Sequence, residues 1–278
     1  MARKVTDRFA ILSHVVAIGF ALFSILPLVW LVITSFKTEA EIVSNTIVYW
    51  PESFDFDNYT SVWSQSDFPR LMWNSLVTTT YTLGICLFAG TLAAYAFSRH
   101  RFRGRRKLML FYIVIRMFPA VLIIIPLFLV LRNLGLLDTR IGLALAYASF
   151  LLPLFIWMMK GFFDGVPRDL ENAARIDGCT RVGAMTRIVL PLVRGGLAAC
   201  AIFVAIGAWN EYLFALMLTS SSGSRTWPVG LQLMVGEFQL PWGLLAASGV
   251  ISIIPIVILF TLVQRALVRG LTVGAVKG

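Results

Sequence analysis

The sequence predicts an all-α integral membrane protein with six transmembrane helices, and three observations carry that prediction. First, the chain of 278 residues is 58% hydrophobic and only 14% charged, whereas soluble domains average roughly half apolar and a quarter charged. Second, six apolar stretches, at about 11–36, 71–97, 108–131, 141–163, 195–218 and 244–268, each reach the roughly 20 residues a helix needs to cross a hydrocarbon core about 30 Å thick. They are continuous, unlike the alternating segments of about 10 residues found in membrane barrels. A helix also satisfies its own backbone in lipid. Third, the charges are sorted. With the N-terminus inside, Arg3, Lys4, Arg8, Arg99, Arg101, Arg103, Arg105, Arg106, Lys107, Lys160, Arg168, Arg175, Arg181, Arg187, Arg194, Arg265, Arg269 and Lys277 fall in inner segments. Only Lys37, Arg70, Arg132, Arg140 and Arg225 fall in outer ones, and Arg116 lies within a span. This positive-inside bias places both termini in the cytoplasm. The net charge of +10 is therefore a topology signal, and a nucleic-acid partner is not expected. The whole chain, 1–278, reads as a single transmembrane domain.

The elements follow in order. Arg3-Lys4 precede an apolar run that continues through "FSILPLVWLVITSF". That run is longer than the core of a signal peptide, so an uncleaved first span is expected. The outer segment 37–70 mixes Glu39, Glu41, Glu52, Asp55, Asp57 and Asp67 with Tyr49, Trp50, Tyr59 and Trp63. It reads as an interfacial aromatic belt with a solvated loop, or as a rim contacted from outside. Small residues in "AGTLAAYA" (89–96) allow close helix packing in lipid. The basic loop "RHRFRGRRK" (99–107) is suited to anionic lipid heads. Pro119 and Pro126 in the third span each remove a backbone hydrogen bond and predict a kinked or broken helix.

Two ionisable side chains lie inside spans, Arg116 and Glu211, and such groups usually face a wet cavity or a partner. Helical rise places Arg116 about 12 Å and Glu211 about 24 Å from the cytoplasmic ends, too far apart to pair. Glu211 either snorkels to the outer interface or lines a path together with Asn210. Trp73 and Asn74 are the other candidates for that path, by aromatic and hydrogen-bonding character.

A polar unit, 164–194, separates the fourth and fifth spans. Pro167 suits a first helical position, and Asp169 and Glu171 favour the positive end of the helix dipole. Leu170, Ala173, Ala174 and Asp177 recur at i, i+3, i+4 and i+7 on one face. Gly178 suits the left-handed residue that ends a helix. Thr180 caps a second helix, from about Arg181 to Val189, which Pro191 stops. The small-residue face either lies on the membrane or docks into a partner's groove, and spacing alone leaves both open.

Several chemistries are excluded. Cys86, Cys179 and Cys200 are scattered and form neither a disulfide framework nor a metal set. A phosphate-binding loop needs Gly before its lysine and Ser or Thr after it. Only Lys37 precedes a Thr, and Phe36 stands before it. There is no His-Glu-x-x-His motif and no nucleophile–base set, and His14 and His100 lie near membrane ends. The chain reads as a non-enzyme.

The stretch "ENAARIDGCTRVGAMTRIVLP" (171–191) resembles the cytoplasmic signature of binding-protein-dependent ABC importer permeases. That signature is Glu-Ala-Ala, three residues, Gly, nine residues, Ile, one residue and Leu-Pro. Ala173-Ala174, Gly178, Ile188 and Leu190-Pro191 match it. Asn172 stands where the family has Glu, and Glu171 precedes it. "TSFKT", "AAYAFSRHRFRGR", "RMFP" with "IPLF", "LGLLDT", "WNEY" and "GLTVGAVKG" are similar to the smaller, six-span permease of maltose-type sugar importers.

The resemblance implies a type I importer permease fold in a bacterial inner membrane, working by alternating access. It implies a coupling helix, with Ala173, Ala174, Asp177 and Gly178 seated in an ATPase cleft. The tail Gly274-Ala275-Val276-Lys277 is implied to reach between the ATPase subunits, and the loop 219–243 to probe the binding protein. The implied partners are a second homologous permease, two copies of an ATPase subunit that hold ATP and Mg, and an extracytoplasmic sugar-binding protein. This chain holds no cofactor of its own. The rival reading is an ion-coupled secondary transporter using Glu211. Such carriers often show internal repeats, and none is evident here.

Overall fold

A computed structural model describes residues 2–64, 67–235 and 240–275. The described residues form helices α1 (Ala2–Ser35), α2 (Glu39–Ile42), α3 (Asp57–Ser64) and α4 (Phe68–Ile85). A π-helical turn, Cys86–Gly90, leads into α5 (Thr91–Arg99), followed by α6 (Arg105–Ile115), α7 (Ala120–Asn133) and α8 (Arg140–Asp164). Next come α9 (Arg168–Ile176), α10 (Arg181–Ala184), a second π-turn at Met185–Val189, α11 (Leu190–Leu192) and α12 (Arg194–Trp209). The series ends with α13 (Leu213–Leu218), α14 (Trp227–Met234) and α15 (Trp242–Ala275). The all-α class is as expected, and no strand occurs among the described residues.

Among the described residues, four helical stretches are long and apolar enough to cross a membrane: Ile11–Ser35, Phe68–Arg99, Arg140–Asp164 and Trp242–Gln264. Two bent pairs bring the count to as many as six if each pair is one span. The predicted third span is one of them. It breaks between α6 and α7, which meet at 102°. Pro119 is extended (φ −57, ψ 131) at the start of α7, and proline also disfavours helix at the residue before it. Pro126 lies inside α7 without ending it. The predicted fifth span, 195–218, is corrected more strongly. It is not one helix but α12 and α13, parted at Asn210–Tyr212. The break falls at the polar pair Asn210-Glu211, which an averaged hydropathy window absorbs.

The chain divides into two compact units, one from residues up to Pro69 with Leu231–Ile254, the other from Arg70–Gly230 with the stretch from Pro255 onward. In the first, the loop after α1 is ordered by polar chemistry. Thr38 and Glu41 form a reciprocal capping box on α2. Asn58 Nδ2 donates to the carbonyls of Ser35 (3.1 Å) and Lys37 (2.9 Å), and the Lys37 ammonium sits 4.4 Å over the Trp30 ring. The amides of Glu52 and Thr38 donate to Glu41 and hold its carboxyl below the usual range.

The second unit has its core on α8, where Tyr147, Phe155, Met159 and Phe163 are fully buried. At Gly90 a Cβ would collide with the Phe155 ring, so the small residue lets α5 close onto α8.

Candidate coupling elbow and translocation path

The polar unit between α8 and α12 folds as a helix–turn–helix. Pro167 is extended (φ −56, ψ 135) and precedes α9, one residue earlier than read from the sequence. Gly178 has φ +91. Cys179 N donates to Ala174 O (2.9 Å) and Gly178 N to Arg175 O (3.2 Å). These two bonds are the pair that defines a Schellman stop. Thr180 Oγ1 then accepts from Gly183 N at 3.0 Å and caps α10, as expected. Pro191 does not stop this second helix. The helix widens at Met185–Val189, where Leu190 N reaches Met185 O, and continues through Leu192. A π-turn re-registers the backbone so that the imino residue is tolerated. The chain turns at Val193, and α12 leaves at 80°.

The faces of α9 differ from the sequence reading. Glu171 and Ala174 point inward and are buried. Asn172, Ala173, Asp177 and Gly178 are exposed. The outward apolar groups are Leu170 (44% exposed), Ile176 (86%) and, beyond the turn, Val182 (65%). Ile176 was missed because it falls off the i, i+3, i+4, i+7 row. Ile188 and Leu190 are half-buried, and Pro191 is exposed.

Glu171 is anchored within its own chain. Arg99 Nε pairs with one carboxylate oxygen, and Tyr95 Oη donates to the other at 2.7 Å. Arg99 Nη2 also donates to Val166 O (3.0 Å), and Arg168 Nη2 returns a bond to Ser98 O (3.1 Å). Ser98 Oγ donates to Asp164 Oδ1 at 2.6 Å. A cavity of about 220 Å³ beside this group is lined by Tyr95, Arg99, Glu171, Asn172, Arg175 and Arg181. Sequence reasoning counted Arg99 as a topology charge. The missed signal was Tyr95 at i−4, on the same helix face.

The four path candidates have different settings. Trp73 is 58% exposed. Asn74 is fully buried and donates to Ser222 O (2.9 Å) and Arg225 O (2.8 Å), strapping the 219–226 loop. Asn210 is exposed, and its Nδ2 donates back to Ile206 O (3.0 Å). The Glu211 carboxylate accepts from Phe214 N (2.8 Å) and Ala215 N (3.1 Å), capping α13. The helix break supplies the orphan amides that make this capping favourable. Arg116 forms no ion pair with Glu211. It donates to Phe150 O at 2.8 Å and lies 5.0 Å from that residue's ring.

The first part of the 219–243 loop is tightly held. Asp138, itself at φ 57, accepts from Ser220 N (2.8 Å), Ser221 N (3.1 Å) and Ser224 Oγ. Arg140 Nε donates to Gly223 O (3.1 Å), and Trp227 Nε1 to Trp209 O (3.0 Å). Burial raises the Asp138 pKa, but the hydroxyl and amide donors outweigh burial and hold it well below the usual carboxylate range. Residues 236–239 of this loop, with Val276 and Lys277 of the tail, lie outside the described residues. Gly274 and Ala275 continue α15.

A membrane protein whose exposed helix–Gly–helix elbow joins two spans belongs to a definable class. The chain is a member of the family of binding-protein-dependent transport system inner membrane components, whose pattern matches residues 86–273. Among its relatives is the sulfoquinovosyl glycerol transport system permease protein SmoH of Agrobacterium fabrum, 38% identical over 91% of this chain and 88% of the relative. The trehalose transport system permease protein SugB of Mycobacterium tuberculosis is also 38% identical, over 100% and 99%. The trehalose/maltose transport system permease protein MalG of Thermococcus litoralis is 36% identical over 96% and 97%. The fold is similar to a chain of a bacterial ABC transporter involved in the import of the acidic polysaccharide alginate, with a TM-score of 0.80 and 28% identity over 94% of this chain and 97% of that one.

Proposed function

We infer that this chain is the membrane-spanning permease subunit of an ATP-driven importer for a sugar or sugar derivative, working with a second permease, ATPase subunits and an external binding protein. The elbow carries the reading. It is a rigid polar knob with a Schellman turn at Gly178 and solvent-facing apolar side chains at Leu170 and Ile176, the surface a docking partner would cover. The family membership and the carbohydrate transport named for the relatives support it.

The chain itself is non-catalytic, and ATP and Mg belong to the ATPase subunits. The exposed residues Asn172, Ala173, Asp177 and Gly178 form the centre of the ATPase contact, while Glu171 and Ala174 support it from inside. ATP-driven closure of the ATPase pair moves the elbow, and the spans alternate between outward-open and inward-open states. A ligand shifts such an equilibrium only by its differential affinity for the two states, so the elbow must be held stiffly. The charge bias of the loops supports cytoplasmic termini. The family membership favours this reading over ion-coupled secondary transport through Glu211.

The test is reconstitution of the chain with its companions in vesicles. Uptake of a sugar that requires both ATP and the binding protein is expected. Uptake driven by a proton gradient without ATP would overturn the reading.

A further inference from the structure

The elbow has two routes into the membrane helices. The covalent one runs through Val193, where the chain turns by 80° into α12. Between Gly178 and that turn lie α10, a π-turn and α11. The second route is non-covalent and denser. Glu171 of α9 is gripped from α5 by Arg99 and by Tyr95 at 2.7 Å. The Arg99 and Glu171 side chains are only 8% and 11% exposed. Arg99 also holds Val166 O, just ahead of α9, and Arg168 on α9 holds Ser98 O on α5. Bonds therefore run in both directions between the end of one span and the start of the elbow helix. Partners are contributed from three positions in the last turns of α5: Tyr95, Ser98 and Arg99.

We propose that Glu171, seated between Arg99 and Tyr95, is the positioning residue that transmits displacement of α9 to α5 and so to the span that α5 ends. The proposal rests on the importer reading above and adds the linkage through which the stroke leaves the elbow. Charge-assisted hydrogen bonds are short and directional. Arginine's planar fork loses little freedom on being held, so it engages Glu171 and Val166 O together without slack. A buried pair of this kind is weak grounds for a stability role, since apolar replacements often do as well. A role in fixing position fits its place beneath an exposed knob.

The experiment uses the reconstituted complex with its binding protein, reading ATP hydrolysis and sugar uptake in the same vesicles, with co-purification of the ATPase subunit as the assembly control. For Glu171→Gln, uptake per ATP hydrolysed is expected to fall at least fivefold while assembly stays within about twofold of the unsubstituted complex. Tyr95→Phe leaves the ion pair intact and is expected to lower the same ratio about twofold, so a Glu171→Gln variant that fails to assemble does not end the test. Asp169→Asn, on the exposed start of the same helix, should leave the ratio unchanged. An unchanged ratio in both Glu171→Gln and Tyr95→Phe, with hydrolysis and uptake falling only in step with the amount of assembled complex, would overturn the proposal. Absence of ATP-driven uptake in the unsubstituted complex would instead remove the importer reading and this linkage with it.

Discussion

The elbow (164–194) and the loop strapped by Asp138 (219–226) lie in the same compact unit and are built by similar local chemistry, yet they present opposite surfaces. In the loop, buried Asn74 takes the carbonyls of Ser222 and Arg225, and Asp138 takes the amides of Ser220 and Ser221. Polar side chains of other elements thus satisfy its backbone, and its rigidity comes from outside itself. The elbow satisfies its own turn, with Cys179 and Gly178 amides returning to α9 carbonyls. It leaves Ile176 and Val182 in solvent. One segment is finished within the chain, and the other is stiff but unfinished. That difference marks the elbow as the surface awaiting a partner.

Four substitutions test the contrast. The largest effect is expected at the turn. Gly178→Val places a β-branched residue at φ +91, a region closed to such side chains, and sugar uptake should fall more than tenfold. Retention of full uptake and full ATPase stimulation in that variant would remove the elbow's role. Next, Ile176→Asp alters a side chain that is 86% exposed. Thermal stability of the isolated chain should barely move, while co-purification of the ATPase subunit drops several-fold. If stability falls instead, the face is part of this chain's own packing.

The strapped loop should respond in stability rather than coupling. Asn74→Ala removes two hydrogen bonds to partly buried carbonyls, at a cost of about 1–3 kcal/mol, read as a lower Tm in detergent. The smallest effect belongs to Asp138→Asn, about 1 kcal/mol or less for a group that is only partly buried. The Asp138 pKa is depressed by its donors. Its stabilisation is therefore complete above the unfolded carboxyl value, about 3.9, and is lost as pH falls through the lower folded value. Melting curves from neutral pH down to about 3 should show a smaller acid-side loss in Asp138→Asn than in the unsubstituted chain. An identical loss would mean other carboxylates dominate.

Much of the elbow was legible before any coordinates. Gly178 as the left-handed stop and Thr180 as a cap follow from the neighbours of each residue. The Glu171 grip was not legible, because its partners Tyr95 and Arg99 lie 76 and 72 positions away. The straps from Asn74 were not legible for the same reason, their acceptors being 148 and 151 positions distant. The capping role of Glu211 is not legible either, because it exists only once the fifth span breaks.

By itself, the sequence determined the six apolar stretches, the uneven clustering of the charges between them, the glycine turn and the family pattern, since hydropathy, charge and capping act over a few residues. Only the tertiary structure decided where the third and fifth spans break, which face of α9 is buried, and that Glu171, Asn74 and Asp138 serve as internal anchors. Those outcomes depend on which distant backbone and side-chain groups arrive within hydrogen-bonding distance, and no local pattern encodes that arrival.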